Sequence, residues 1–384
     1  MSARHAVLFL TALALAAPAI LAAPTEQSAE ERLALVAGTR PVDVVVVLDT
    51  SGSMEDLLDA TRARIWDVIN TLGKLMPTPE LRVGLVSFGT ERSTAEEGWI
   101  VIDSNLTNDL DDVYGKLMAL STAGGEEFVG RALHEAIDKM DWSRGADALK
   151  IIFVAGNESA DQAASEYDFR TAALWARGDG IFINALYAGN RDQGIVEHWP
   201  EVAREGRGSF AAIDPEKSTI QIPTPQDEPL LALNRSLNGT YLPYGPDGAN
   251  GLANQVAQDS NASRLGVESC SSRIVAKGSA LYTNAAWDLV DATSKQVIDV
   301  ATMHQDDLPE EMSSMSAEQR EAYVEEKRVA RETIQDEIQE LSVARESYIK
   351  NVIAKERLAR GLDAAMKNAL VKQAVAKGFE CDGC

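Results

Sequence analysis

A carboxylate and two hydroxyls fall within five residues of this chain, at Asp49, Ser51 and Ser53. All three are hard oxygen donors, the kind that suits Mg²⁺ or Mn²⁺. They follow Val44, Val45, Val46, Val47 and Leu48, an unbroken apolar run that fits a strand buried on both faces. Donors just past the carboxyl end of such a strand stand where open α/β sheets bind their ligands. Two further loops could bring oxygens to the same end. One is Gly124-Gly125-Glu126-Glu127, between two helical patterns. The other is Ala155-Gly156-Asn157-Glu158, after the apolar run at residues 149–154. Carboxylates from Asp49, Glu126 and Glu158 within about 4–6 Å of one another would repel, and a divalent cation would relieve them. Long Glu side chains and an extra charge make Ca²⁺ a candidate beside Mg²⁺ and Mn²⁺. The bland alternative is that Glu126 and Glu127 face water and no metal binds.

Other chemistry has little support. The four histidines are His5, His134, His198 and His304, and none sits in a recognisable nucleophile setting. Gly-x-Ser-x-Gly and phosphate-cradling loops are missing from the sequence, so an enzyme is not expected. A formal charge of −23 argues against nucleic acid. Of three cysteines, Cys381 and Cys384 form a C-x-x-C that reads as a terminal disulfide loop, with metal or intermolecular roles as alternatives. Cys270 is left over.

Strand-like and helix-like stretches alternate from Pro41 to Asp214. Helical patterns cover residues 56–75, 108–120, 129–140, 167–177 and 198–205; strands cover 43–48, 81–88, 99–102, 149–154, 181–187 and 209–214. The 99–102 strand reads as an antiparallel edge. Alternation of this kind predicts a doubly wound, mostly parallel, Rossmann-like α/β sheet. Residues 215–305 read as an α/β extension. Leu230 to Leu237, Gly239 and Thr240-Tyr241-Leu242 suggest one extra helix–strand unit, and Leu281-Tyr282 and Trp287 to Val290 suggest short strands. Four sequons, at Asn105, Asn234, Asn238 and Asn261, matter only in a eukaryotic secretory route. Residues 306–384 read as a long helical region opening on the capping box Ser316 to Gln319. Ile334, Ile338, Leu341, Tyr348 and Val352 form a heptad seam broken by Arg345, with Gly361 as a split. A hairpin packed on the body and a coiled coil to another copy or a partner both fit.

Arg4 and His5, an apolar core and small residues at Ala19, Ala22 and Ala23 predict a signal peptide over residues 1–23. Residues 24–40 read as an N-terminal arm. No later stretch is long and apolar enough to span a bilayer, so an exported protein, periplasmic or secreted, is expected.

The run from Asp43 to Met54 resembles the first strand and metal-binding loop of von Willebrand factor A domains, and the resemblance covers residues 41–214. It implies a divalent ion over the sheet, held by Asp49, Ser51 and Ser53 and by donors from the other two loops. It also implies a protein partner whose acidic side chain completes the coordination. Glu126 stands where the family has Thr, and Asn157-Glu158 where it has Asp. An anionic ligand in place of Thr would make the ion less electrophilic and its grip on a carboxylate weaker. The stretch from Phe153 to Gln162 and the helical tail resemble an exported bacterial subgroup of these proteins. The leading expectation is therefore an exported, non-enzymatic binding module with the tail as a second contact or homo-oligomer element. The alternative is a metal-free structural protein that assembles through the tail.

Overall fold

In the computed structural model of the chain, β1 (Arg40–Asp49) is buried without a break from Val42 to Asp49. Residues 39–124, 126–162, 167–214, 221–356 and 361–381 are described, so the expected signal peptide and nearly all of the arm lie outside them. After β1 come α1 (Glu55–Leu72), β2 (Leu75–Met76), β3 (Pro79–Phe88), β4 (Ile100–Thr107), α2 (Leu110–Ala119) and α3 (Val129–Lys139). Then follow β5 (Leu149–Gly156), α4 (Phe169–Gly178), β6 (Ile181–Ala188), α5 (Arg191–Val196), α6 (Trp199–Glu205) and β7 (Arg207–Ile213). The six long strands form one sheet in the order β4-β3-β1-β5-β6-β7, parallel except for β4, which runs antiparallel at the edge as expected.

Period-2 alternation along β1 feeds two cores. Val42, Val44, Val46 and Leu48 point into a layer with Leu57 and Trp66 of α1 and Leu117 of α2. Val45 and Val47 point into the other, with Leu133 of α3, Phe169 of α4 and Trp199 of α6.

The extension departs from the expectation of added strands. Among the described residues it is helical: α7 (Asp227–Asn238), α8 (Gly248–Leu265), α9 (Val267–Lys277) and α10 (Leu289–Ser294). The expected strand at Thr240 to Leu242 reduces to a single bridge between Pro243 and Asp288. A ladder is pre-empted because the Asp288 carboxylate takes the Leu242 N–H (2.7 Å) and also caps α10 through Asp291 N–H (3.0 Å). Two sequon asparagines are also occupied. Asn234 and Asn238 donate to Asp259 and accept from the buried Lys277 ammonium.

The tail forms α11 (Ala317–Glu356), α12 (Leu362–Ala376) and β8 (Glu380–Cys381), the last pairing antiparallel with β2. The expected seam packs on this chain's own body at Ile334, Ile338 and Leu341, whereas Tyr348 is 40 % exposed and does not join it. Ile338 is buried, and Arg331 and Arg345 flank it at seven-residue steps. Arg331 binds Asp288 (2.6 Å) and Asp291 (2.7 Å), and Arg345 binds Asp227 (3.1 Å). α12 lies against β5, β6 and β7, with Met366, Leu370 and Ala374 in the first core. Its Gln373 exchanges two hydrogen bonds with Asn184 of β6 in the buried sheet face (3.1 and 2.7 Å). Cys381 is disulfide-bonded and Cys270 is free and buried; Cys384 lies outside the described residues.

Helix α9 is fastened to the sheet domain by Arg273, 1 % exposed, which binds Asp111 of α2 and Asp259 of α8, each at 2.7 Å. Removing one partner of a buried pair leaves an uncompensated charge. Asp111→Ala should therefore lower unfolding free energy by about 3–5 kcal/mol, while Asp111→Leu with Arg273→Met should recover most of it. Urea unfolding of the three proteins checks this, and equal losses in single and double variants would refute it.

Candidate metal centre

Strand β1 ends in a tight turn that aims its oxygens at the top of the sheet. Thr50 N–H and hydroxyl both bond to the Phe88 carbonyl (2.9 and 3.1 Å), tying the turn to β3. Thr50 in turn accepts the Ala123 N–H (2.9 Å), which seats the loop before α3 beside it. Within the turn, Asp49 Oδ1 accepts the Ser51 N–H (2.8 Å), and Met54 N–H closes on the Ser51 carbonyl (3.1 Å). The hydroxyls of Ser51 and Ser53 lie 3.4 Å apart. These local bonds hold the three donors that the sequence singles out on one side of the turn.

Asp49 is 2 % exposed, and its Oδ2 has no hydrogen-bond partner. A buried carboxylate oxygen without a donor is costly as an anion. Burial pushes the Asp49 carboxyl up to about 7, the bonds from Ser51 pull the other way, the charge of Glu127 adds to the rise, and the Asn157 backbone N–H opposes it weakly from beyond the hydrogen bonds already named.

The structure brings Glu127, not Glu126, to this point. A Cβ on Gly89 would stand 3.0 Å from Asp49 Oδ1, 3.2 Å from Glu127 Cγ and 3.4 Å from Ser51 Cβ, so these groups converge on that glycine. Gly89 has φ +66°, which together with this crowding excludes a side chain there. Burial raises the Glu127 carboxyl, repulsion from Glu158 and Glu126 adds to it, and the Ser51 hydroxyl opposes it. Glu126 is exposed. Loop residues separated by one position point in different directions, and nothing in Gly-Gly-Glu-Glu tells which acid turns inward.

The third loop is likewise shifted by one residue. Glu158, expected as a ligand, is exposed and its carboxylate meets Gln162 Nε2 at 3.4 Å. Asn157 takes the inward place, donating to the Ser53 hydroxyl at 3.0 Å. The Glu158 backbone does structural work instead: its carbonyl accepts Trp199 Nε1–H (2.7 Å). Trp199 is fully buried, and its ring and Asp49 Oδ2 both crowd Gly156, at 3.1 and 3.2 Å from a Cβ built there. No sequence signal pointed to Trp199, because its role depends on α6 folding back beneath the turn after β5.

Among the described residues no three His, Cys, Asp or Glu side chains gather as a ready-made ligand group. The donor set is two carboxylates, Asp49 and Glu127, with the hydroxyls of Ser51 and Ser53 and the Asn157 amide. An orphaned buried carboxylate oxygen among hard neutral oxygens fits Mg²⁺, Mn²⁺ or Ca²⁺ better than a thiophilic ion. The histidines sit elsewhere: His134 packs on Trp175 (4.3 Å between rings), and His198 lies between Asp161 and Glu201 (3.2 and 3.3 Å).

Residues 43–207 match the family described as the von Willebrand factor type A domain. No curated protein matches the chain. Among solved structures, proximal thread matrix protein 1 from the mussel byssus, with a zinc-occupied MIDAS motif, shares 15% identity at a TM-score of 0.35, covering 46% of this chain and 42% of that one. A von Willebrand factor type A protein from Catenulispora acidiphila shares 18% at 0.35, over 47% and 40%. The corresponding domain of the pilus tip protein Mfa5 from Porphyromonas gingivalis shares 17% at 0.36, over 47% and 92%. The chain spans less than half the length of the mussel protein it matches.

The raised Asp49 carboxyl has a direct consequence for metal-free protein. Folded Asp49 keeps its proton to about pH 7, whereas unfolded Asp49 loses it near 3.8. The stability it contributes is present below about pH 4 and lost as pH rises through 7, a change of about 4 kcal/mol. In chelator, Asp49→Asn should therefore gain on wild type across that window. Denaturant melts of both proteins at pH 4 to 8 test this, and a constant difference would refute it.

Proposed function

We propose that this protein, whose residues 43–207 form a von Willebrand factor type A domain, is an exported, non-catalytic module that holds a protein partner at a divalent-metal site on the carboxyl end of its sheet. The observation that carries the reading is Asp49 Oδ2, buried and without a partner beside the inward Glu127. A divalent cation there would replace the missing hydrogen bond and the stored proton, and would let both carboxylates ionise. In this reading Asp49 and Glu127 supply charge, Ser51 and Ser53 supply neutral oxygens, and Asn157 holds Ser53 in place through its amide. A bound ion supplies a Lewis-acidic point at which an oxygen of the partner can dock. Proteins with this domain generally act in protein–protein contacts. Trp199 and Gly156 keep water from the rear of Asp49, so that the ion is approached from the open top alone.

Export is supported by the charged, apolar and small-residue sequence at the N-terminus and by the disulfide at Cys381, since such bonds persist in oxidising compartments. No helix among the described residues is long and apolar enough to cross a membrane. The tail braces the domain in this reading, because its seam is occupied by Asp227, Asp288 and Asp291 of the same chain.

Two measurements test the reading. At pH 7.5, Mg²⁺, Mn²⁺ or Ca²⁺ at a hundredfold excess over its Kd should add about 2.7 kcal/mol of stability, reversed by chelator. Asp49→Ala should remove that gain and Glu127→Gln should cut it sharply, whereas Glu126→Gln should leave it intact. Melting that ignores all three ions would sink the metal reading; equal loss in Glu126→Gln and Glu127→Gln would sink the assignment of Glu127.

A further inference from the structure

The carboxyl end of the sheet carries more negative charge than one divalent ion can neutralise, and the excess bears on what docks there. This step rests on the metal reading. Asp49 and Glu127 bring two charges, which equal those of the ion. Outside them, Glu126 and Glu158 are exposed, and both are close enough to Glu127 to act on its ionisation. Glu91 is also exposed at this rim, with Oε1 3.2 Å from a Cβ built on Gly124. Of the basic groups nearby, Arg131 donates to the Glu96 carbonyl and stacks on Tyr167 (4.7 Å) and Arg191 stacks on Phe210 (5.1 Å), while the other three are bound to acids. Arg92 is bound to Asp103 (2.8 Å), and Arg170 to Asp161 (2.7 Å) and Glu201 (2.8 Å). His198 sits between those same two acids. An incoming carboxylate would meet an ion whose charge is cancelled and a rim of three further acids. The buried, unpartnered Asp49 Oδ2 marks the centre of this rim as a ligand position rather than a solvated acidic surface.

The same end carries an apolar step. In α5, the adjacent Ile195 and Val196 are 49 % and 73 % exposed, a small aliphatic pair open to solvent. The chain that follows abuts the third loop: Ala160 N–H donates to the Glu197 carbonyl (3.0 Å), and Trp199 Nε1–H to the Glu158 carbonyl (2.7 Å). Acidic rim and aliphatic pair therefore border one another.

We propose that this end of the sheet docks a basic protein segment with apolar flanks, rather than the acidic side chain that the family resemblance implies. Lysine or arginine of the partner pairs with Glu126 and Glu158, its aliphatic residues cover Ile195 and Val196, and a neutral oxygen of the segment meets the ion. Complementary charge of this kind sets orientation and encounter rate, and like charge rejects competitors.

The test uses the full chain with the ion that raises its melting temperature. Two labelled synthetic peptides of equal length share the same leucines and isoleucines; one carries lysines and the other aspartates at the remaining positions. Fluorescence anisotropy at physiological salt should show the lysine peptide binding at least tenfold tighter. Glu126→Gln with Glu158→Gln should weaken it at least fivefold, as should Ile195→Ser with Val196→Ser. A control pair at the opposite end of the sheet, Glu80→Gln with Asp138→Asn, should leave it unchanged. The proposal is overturned if the aspartate peptide binds as well or better, or if the control pair weakens the lysine peptide as much as the rim variants do. Melting of the same wild-type samples with and without ion reports separately on the metal reading, so the two failures are distinguishable.

Discussion

A parallel sheet has to be covered on both faces, and the rest of this structure follows from that requirement. β1 is the strand on which it falls hardest, since every residue from Val42 to Asp49 is buried. One face is closed locally, by α3, α4 and α6 from between the strands. The other begins with α1 and α2 but is completed only by α12, whose Met366, Leu370 and Ala374 arrive more than 150 residues after β7. The tail is therefore part of the domain's core cover. Its short β8 even pairs with β2 beneath the sheet.

Buried ions give that long-range cover its register. Arg331 and Arg345 occupy the positions in the α11 seam where a free coiled coil would place apolar residues, and each meets carboxylates from the helical layer. Arg273 and Lys277 do the same between α9, α8 and α2. Such pairs are weak sources of net stability, because desolvation offsets attraction, but each tolerates one arrangement far better than its neighbours. A helix of 40 residues sliding by one turn would strand two guanidinium groups without partners.

The candidate site depends on the same two-faced burial. Asp49 is dry because β1 is central and because Trp199, on the far side, fills the space behind it. The cost of that dryness shows in a carboxyl that keeps its proton to about pH 7 and an oxygen with no donor. The surrounding groups, Gly89, Gly156 and the hydroxyls of Ser51 and Ser53, leave room and oxygens where a cation would sit.

The sequence by itself determined the doubly wound α/β core, the antiparallel edge at β4 and the first loop of the site. The reason is that these rest on local pattern: period-2 and helical spacing, and three donors within five residues of one turn. The acids of the other two loops were legible as acids but not by position. Glu127 replaces Glu126, and Asn157 replaces Glu158, because the direction of a loop side chain is set by what the loop packs against. The extension read as α/β because short apolar runs such as Thr240 to Leu242 fit strand and coil alike; Asp288, distant in sequence, claimed the backbone group a ladder needs. The seam of α11 was visible as a heptad pattern, yet which surface it faces was decided by three aspartates on other elements. Local spacing fixes elements and the donors within one turn. Only the tertiary structure decides which distant groups share a point in space.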